Sequence, residues 1–91
     1  MPCWSVYMIL CSDSSLYTGI TTDVERRFRQ HLLCKGAKYF RHCRPLRLVY
    51  VEQGHNRGTA SRREAAIKKM KRIEKLELIA QSTNQPLVST I

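Results

Sequence analysis

Two tyrosines, an arginine and a histidine in this sequence have reactive side chains at suggestive spacings. Tyr7 and Tyr17 lie in two short apolar segments, and Thr18-Gly19 directly follows the second tyrosine. Arg27 and His31 are four residues apart, so on a helix they lie on one face, about one turn from each other. Side chains of these types transfer protons and bind phosphate groups, which makes all four candidates for a reactive site.

Glu64 is a fifth candidate, and each of the five also has an ordinary structural explanation. The tyrosines can be packed strand aromatics, and Arg27 and His31 can be solvated helix residues. Glu64 pairs with Ser61 in a pattern typical of a helix capping box. The functional hypothesis therefore depends on the order of the five residues along the chain.

The two tyrosines belong to a predicted β-hairpin, which gives a geometric test. Trp4 to Cys11 and Leu16 to Ile20 are rich in strand formers and flank a polar turn. Because side chains alternate along a strand, only an odd-length loop places Tyr7 and Tyr17 on the same side of the sheet. We therefore predict an odd loop centred near Cys11–Ser14.

The remaining elements are predicted from capping patterns and periodicity. A capping box of Thr22 and Glu25 begins a helix whose inner stripe consists of Val24, Phe28 and Leu32. A strand follows over about residues 46–52, with two further helices over about residues 61–73 and 74–80. The strand has Leu46, Leu48 and Tyr50 on one face and Arg47, Val49 and Val51 on the other. Two largely apolar faces predict a central strand.

The element order β-β-α-β-α-α predicts an α+β fold, a small three-stranded antiparallel sheet flanked by helices. The chain of 91 residues has room for one domain, which we place at residues 1–82, with a flexible tail at 83–91. The longest apolar run, Val6 to Cys11, is far too short to span a bilayer.

Cysteine usage and charge indicate the compartment and the partner. No CxxC pair is present, and no secretory signal precedes the first cysteine, which predicts reduced thiols in a cytoplasmic protein. A zinc site of Cys34, His42 and Cys43 is a less favoured alternative. The formal net charge of +9 favours nucleic acid as the partner over a membrane surface, with simple solubility charge as the alternative.

At these residues the sequence resembles the GIY-YIG nuclease superfamily, in particular its small stand-alone bacterial members. The resemblance covers about residues 4–80 and keeps the family order. The first half-motif departs from the family at Gly and Ile and keeps only its tyrosine. The matching segments are Ser5-Val6-Tyr7, Tyr17-Thr18-Gly19, the helix from Gly19 to His31, Gly36 to Tyr39 with Pro45 to Tyr50, and Arg63 to Lys69.

The resemblance implies a role for each candidate in metal-dependent hydrolysis of phosphodiester bonds. One tyrosine would activate the attacking water, with Tyr7 favoured for this step and Tyr17 for positioning. Arg27 would bind the scissile phosphate, and His31 would assist proton transfer or contact the phosphate. Glu64 would be the protein ligand of a divalent cation, with Mg²⁺ expected and Mn²⁺ as an alternative.

Basic and aromatic residues near these motifs are predicted to bind the nucleic-acid backbone and bases. Such contacts carry no sequence information, so specificity should be low, and a protein partner would select the target. DNA is the expected substrate ahead of RNA, and the protein is expected to be a monomer or a weak dimer. The predicted nucleic-acid contacts are Lys35, Lys38, Tyr39, Arg41, Arg44, Arg63 and Lys68.

Two other functions remain compatible with the sequence. The departure at the first half-motif, together with Ile20 where some relatives carry a lysine, is compatible with a binding module that has lost catalysis. A basic protein that binds an acidic protein partner is the third hypothesis. A steep loss of nucleic-acid affinity with salt would argue for the first two.

Overall fold

The computed structural model describes residues 3–33 and 43–82, and it confirms the predicted order β-β-α-β-α-α. The strands are β1 (Trp4–Cys11), β2 (Leu16–Thr21) and β3 (Pro45–His55). The helices are α1 (Val24–Leu32), α2 (Arg57–Lys68) and α3 (Arg72–Ser82). None of the helices in the described ranges is long and apolar enough to cross a membrane. The predicted tail, residues 83–91, lies outside the described residues.

The three strands form one antiparallel sheet in the order β2-β1-β3. The prediction that the third strand is central is wrong, because β1 occupies the centre and β3 an edge. A register shift in the β1–β3 pairing explains the pattern that misled the sequence argument. Met8 pairs with Tyr50 but Ile9 pairs with Leu48, so Leu48 and Tyr50 lie on opposite faces of the sheet.

Helices cover both faces of the sheet, which is why even its edge strand is apolar on two sides. On one face Tyr7 and Ile9 form a cluster with Val24 and Phe28 of α1. On the other face β1 contributes Val6 and Met8 to a second cluster. Most of its other members come from β3, α2 and α3, among them Tyr50, Ala60, Ile67, Leu78 and Ile79, and Ile20 of β2 also packs against it.

The hairpin has the predicted odd-length loop. Leu10 pairs with Leu16, which leaves five residues between them. Within this loop the Ser14 amide donates to the Cys11 carbonyl, and Ser14 adopts a left-handed conformation with φ +69°. Tyr7 pairs with Gly19 and Tyr17 pairs with Ile9. Cross-strand partners share a face, so Tyr17 lies on the face of Ile9. Ile9 is two residues from Tyr7 in β1 and shares its face, so both tyrosines lie on the same side of the sheet.

Both predicted capping boxes are displaced along the chain. At α1 the cap is Asp23, whose carboxylate accepts from the Arg26 amide at 3.0 Å, so Thr22 lies one residue too early. At α2 the capping box consists of Asn56 and Thr59. Ser61 and Glu64 therefore lie within the helix, and Glu64 is free for another role.

The inner face of α1 also differs from the predicted stripe. Leu32 is half exposed, whereas His31 is completely buried. Val24, Phe28 and His31 follow the i, i+4, i+7 spacing of one helical face, which turns the imidazole toward the sheet. A histidine on the buried face of a nine-residue helix needs a polar partner in the interior.

Candidate active site

Tyr7 lies at the middle of the central strand, and only 1% of its surface is exposed. Its ring lies directly over Gly19 on the neighbouring strand. A β-carbon built at Gly19 would be 2.6 Å from the phenol oxygen and 2.8 Å from Cζ. The glycine of the Tyr-Thr-Gly motif therefore provides the space that the Tyr7 phenol occupies, beyond any role in ending the strand.

Three rings from three elements meet around this phenol. The Tyr7 hydroxyl lies 2.9 Å from Nε2 of His31, in a buried hydrogen bond between residues 24 positions apart. Tyr17 packs with its ring centroid 6.3 Å from that of Tyr7 and 5.4 Å from that of His31, edge-on to the imidazole. The structure thus brings together the two tyrosines and the histidine that the sequence singled out.

His31 is a neutral imidazole at physiological pH. Burial, with a smaller contribution from the positive charge of Arg27, lowers its pKa from 6.5 to about 4. A neutral ring has one nitrogen that donates and one that accepts. His31 can therefore accept a proton at Nε2 when its other ring nitrogen carries the hydrogen.

Tyr7 is a neutral phenol under the same conditions. Burial raises its pKa well above its usual range, and the nearby Tyr17 adds to this effect. A hydrogen bond and positive charge from Arg27 oppose the shift without cancelling it. Arg27 alone therefore does not produce a tyrosinate, and proton transfer from Tyr7 needs an acceptor within reach. Nε2 of His31 lies at that distance, but its low pKa makes it a weak acceptor while the Arg27 charge is not offset.

Arg27 lies one helical turn before His31 and borders an open groove of about 270 Å³. Its Nη1 donates to Oε1 of Gln30 at 3.0 Å, which orients one side of the guanidinium fork. The groove is lined by apolar, polar and cationic side chains and by one carboxylate. Beside Arg27 these are Trp4, Ile20, Thr21, Thr22, Asp23, Arg26 and Gln30.

Glu64 lies in the second half of α2, on the face that also carries the buried Ala60 and Ile67. Its side chain is 24% exposed and pairs with Lys68 at 3.3 Å. Burial is the main cause that raises the pKa of Tyr7 and Tyr17, and the negative charge of Glu64 adds a smaller effect in the same direction on both phenols. A partly exposed carboxylate is a suitable ligand for Mg²⁺, which keeps most of its waters and needs few protein ligands.

The predicted nucleic-acid contacts divide into three groups. Lys35, Lys38, Tyr39 and Arg41 lie outside the described residues. Arg44 is exposed, and Lys68 is half exposed and paired with Glu64. Arg63 donates its Nε to both carboxylate oxygens of Glu52 at 3.1 Å, so it has a structural role that the sequence did not indicate.

The structure also brings together a set of side chains that the sequence argument did not combine. Cys11, Asp13 and Cys43 place one ligand atom each within 4.8 Å of one another. Of the alternative zinc set of Cys34, His42 and Cys43, only Cys43 lies within the described residues. The spacing of these residues in the sequence gave no signal for this group. The end of β1 and the hairpin turn supply Cys11 and Asp13, and the segment before β3, distant in the chain, supplies Cys43.

A mixed sheet-and-helix fold with two facing tyrosines, an arginine on the first helix and a glutamate on a later, basic helix is the arrangement expected of a nuclease-type domain. The chain belongs to the GIY-YIG catalytic domain family, whose pattern it matches over residues 3–77. That match confirms the resemblance inferred from the motifs, and it places the chain in the nuclease superfamily.

Small single-domain proteins are similar to this chain over most of their length. A UPF0213 protein of Haloquadratum walsbyi is 49% identical over 83 residues, which are 89% of this chain and 93% of the relative. One of Desulfotalea psychrophila is 46% identical over 82 residues, 89% of this chain and 74% of the relative. The solution NMR structure of the UPF0213 protein BH0048 of Bacillus halodurans has a TM-score of 0.58 at 38% identity. The match covers 94% of this chain and 90% of the chain of BH0048.

Proposed function

We propose that this protein is a nuclease that hydrolyses phosphodiester bonds, with DNA as substrate in preference to RNA and with a divalent cation, Mg²⁺ or Mn²⁺. The observation that carries the proposal is the 2.9 Å hydrogen bond between Tyr7 and His31. Arg27 and Glu64 act electrostatically on the same phenol. A proton relay, a phosphate-binding cation and a carboxylate ligand are the parts that this hydrolysis needs.

The proposed proton path runs from water through Tyr7 to His31. Tyr7 accepts a proton from the attacking water as its own hydroxyl proton passes to Nε2 of His31. The water oxygen forms the new bond to phosphorus, and the bond from phosphorus to the 3′ oxygen breaks. The products are a 5′ phosphate and a 3′ hydroxyl, with the leaving oxygen protonated from solvent.

Phosphate binding at Arg27 prepares His31 for this role. The Arg27 charge is one cause of the low His31 pKa, so an anion bound to the guanidinium relieves that repulsion. His31 then becomes a better proton acceptor when substrate is present. Tyr17, packed against both rings, restricts their positions and excludes water from one side.

Glu64 is proposed as the protein ligand of the cation. When bound there, the cation supplies positive charge that offsets the charge developing on the phosphate and the leaving oxygen. Arg27 contributes the second source of positive charge through its planar fork of donors. Both charges act on the phosphate and neither reads a base, which agrees with low sequence specificity.

The substrate follows from charge and from the open groove beside Arg27. A net charge of +9 attracts the nucleic-acid backbone, and Arg26 adds a second cation to the groove beside Arg27. We propose that a protein partner selects the target in the cytoplasm and that the nuclease itself acts as a monomer or a weak dimer.

A cleavage assay with matched glutamate variants tests the proposal. Labelled single- and double-stranded DNA and RNA are incubated with Mg²⁺, Mn²⁺ or EDTA. Glu64→Gln should abolish cleavage while leaving binding largely intact, because it removes the cation's ligand. Glu77→Gln, at an exposed position of α3, makes the same charge change and should cleave like wild type. Absence of metal-dependent cleavage on all four substrates would refute the nuclease proposal.

Binding without cleavage is the second candidate function, and the Lys68 contact favours it. The Lys68 ammonium lies 3.3 Å from the Glu64 carboxylate and already neutralises the proposed cation ligand. A binding module would retain salt-dependent nucleic-acid affinity in EDTA and show no cleavage with any cation. Absence of affinity even at low salt would refute both functions and favour an acidic protein partner.

A further inference from the structure

A separate group of potential metal ligands lies where the hairpin turn meets the start of β3. Cys11 ends β1, Asp13 lies in the turn, and Cys43 lies two residues before β3. Their two sulfur atoms and one carboxylate oxygen lie within 4.8 Å of one another. Both thiols are buried and the carboxylate is exposed, so the group is closed on its protein side and open toward solvent.

Two hydrogen bonds between Ser12 and Arg44 hold the two segments together independently of these three side chains. The Ser12 amide donates to the Arg44 carbonyl at 2.8 Å, and the Arg44 amide donates to Oγ of Ser12 at 2.9 Å. The adjacent residues Cys11 and Pro45 pair with each other in the sheet. The ligand atoms are therefore brought together by the fold, and an ion would not have to assemble the site.

Asp13 is held by its own turn in a way that leaves a ligand atom available. Its Oδ1 accepts from the amide of Ser15 at 3.0 Å and from the Ser15 hydroxyl at 2.5 Å. Both of these bonds go to one carboxylate oxygen, so the second oxygen can contact an ion. The carboxylate is thus oriented by neighbours, as ligands of metal sites usually are.

We propose that Cys11, Asp13 and Cys43 form a zinc site, with water as the fourth ligand. Two sulfur donors exclude Mg²⁺ and Ca²⁺, which prefer oxygen, and the mixed sulfur and oxygen set suits Zn²⁺. Tetrahedral zinc with Zn–S bonds of about 2.3 Å and Zn–O bonds of about 2.0 Å sets ligand atoms roughly 3.5–3.8 Å apart. The observed ligand atoms, which lie within 4.8 Å of one another, would move closer by up to about 1 Å to reach that geometry.

The site would join the hairpin to the sheet edge and stabilise the fold. Binding converts both thiols to thiolates and releases their two protons to solvent, with no change in oxidation state. Cys11 packs in the same cluster as Tyr7 and Ile9, so a fixed turn also fixes the strand that carries Tyr7. The proposal does not depend on nuclease activity, because its ligands are distinct from Glu64.

Metal titration of the full chain under reducing conditions tests the site. Co²⁺, which reports on tetrahedral thiolate sites, should produce a thiolate-to-cobalt charge-transfer band of the intensity expected for two thiolates. Competition with a chromophoric chelator should show one equivalent of Zn²⁺, and Zn²⁺ should raise the unfolding temperature. Cys43→Ser should lower zinc affinity by more than the roughly 10–100-fold that is lost when only a hydrogen-bond partner of a metal ligand is removed.

Asp13→Asn and Cys3→Ser complete the test. Asp13 is exposed, so Asp13→Asn keeps the fold while weakening zinc binding, even where a buried cysteine variant unfolds. Cys3 is exposed, and Cys3→Ser should bind zinc like wild type. The proposal is overturned if Co²⁺ gives no charge-transfer band, or if Cys43→Ser and Cys3→Ser bind equally. Loss of the Cys11 and Cys43 thiols to a disulfide, with no zinc binding by the reduced protein, also overturns it.

Discussion

The Tyr7 hydroxyl and Nε2 of His31 lie 2.9 Å apart in the interior of the protein, between the central strand and the first helix. Neither group is charged at neutral pH, since burial raises the pKa of Tyr7 and lowers that of His31. The pair is therefore a neutral hydrogen bond, and its direction depends on which ring nitrogen of His31 carries the hydrogen. Its environment determines both the stability of the fold and the proposed chemistry.

The low pKa of His31 predicts a specific loss of stability in acid. The unfolded chain binds a proton at a pKa near 6.5, whereas the folded protein resists it until about pH 4. The free energy of unfolding should therefore fall as the pH drops from about 6.5 to 4, by roughly 3 kcal/mol in total. Urea unfolding between pH 4 and 7 measures this slope.

His31→Gln is the control for the acid effect, because carboxylates also titrate toward the lower end of this range. The difference between wild type and the variant isolates the histidine contribution. Wild type should lose stability more steeply with falling pH than the variant does. Parallel curves for the two proteins would contradict the assignment of a buried neutral imidazole.

Gly19→Ala should disturb the site without changing any reactive group. The added β-carbon would lie 2.6 Å from the Tyr7 oxygen, so the phenol must move away from His31. We expect about 1–3 kcal/mol of destabilisation from overpacking and about a 100-fold loss of cleavage from the displaced phenol. Chemical denaturation and the cleavage assay measure the two effects separately.

Gly58→Ala is the matched control for this substitution. A β-carbon at Gly58 would meet only the Asn56 side chain, at 3.4 Å, and alanine favours the helix. That variant should keep wild-type cleavage. Equal activity of Gly19→Ala and wild type would show that the position of the Tyr7 phenol does not matter for the reaction.

The sequence predicted the element order and the hairpin register, because both depend on local patterns. Strand alternation and the odd loop placed Tyr7 and Tyr17 on one face, and the structure confirms this. Prediction from the sequence failed where the neighbours of a residue in space are distant from it in the chain. The shift that separates Leu48 from Tyr50 arises from pairing with β1, which no periodicity within β3 can indicate.

The same distinction applies to the candidate site. The spacing of Arg27 and His31 predicted a shared helical face, but not that the imidazole is buried against a strand phenol. The capping motifs were misplaced because Asp23 and Asn56 compete with equally plausible serine and threonine caps nearby. The proximity of Cys11 and Cys43 depends on a tertiary contact, because the hairpin turn packs against the start of β3.

Arg63 should matter for stability more than for nucleic-acid binding. It donates to both oxygens of Glu52, which also accepts from Tyr50 and lies 2.6 Å from Nε2 of His55. Arg63→Gln removes the guanidinium N–H that both oxygens of this partly buried carboxylate share. After allowance for solvent screening, we expect about 1 kcal/mol of destabilisation in urea unfolding.

Arg62→Gln is the control for charge, because Arg62 is exposed next to Arg63 on the same helix. Both variants should lose similar, small amounts of nucleic-acid affinity through the lost positive charge. Only Arg63→Gln should shift the urea midpoint. An unchanged midpoint with a large affinity loss for Arg63→Gln would instead support the nucleic-acid contact predicted from the sequence.

Lys68 should compete with the divalent cation for Glu64. Its ammonium lies 3.3 Å from the carboxylate, so a cation bound there must displace it. Lys68→Gln should therefore lower the Mg²⁺ concentration that gives half-maximal cleavage, by severalfold. Lys68 also lowers the pKa of Tyr17 against the larger effect of burial, so the Tyr17 pKa should rise in the variant. Metal titrations of the cleavage rate at constant ionic strength measure the first effect.

Lys69→Gln removes the same charge from an exposed neighbouring position and should leave the Mg²⁺ requirement unchanged. If Lys68 instead holds the substrate phosphate, Lys68→Gln should weaken nucleic-acid binding at every Mg²⁺ concentration. The half-maximal Mg²⁺ would then stay at the wild-type value. Competition acts on the metal dependence and phosphate binding acts on substrate affinity, so one set of titrations separates the two roles of this lysine.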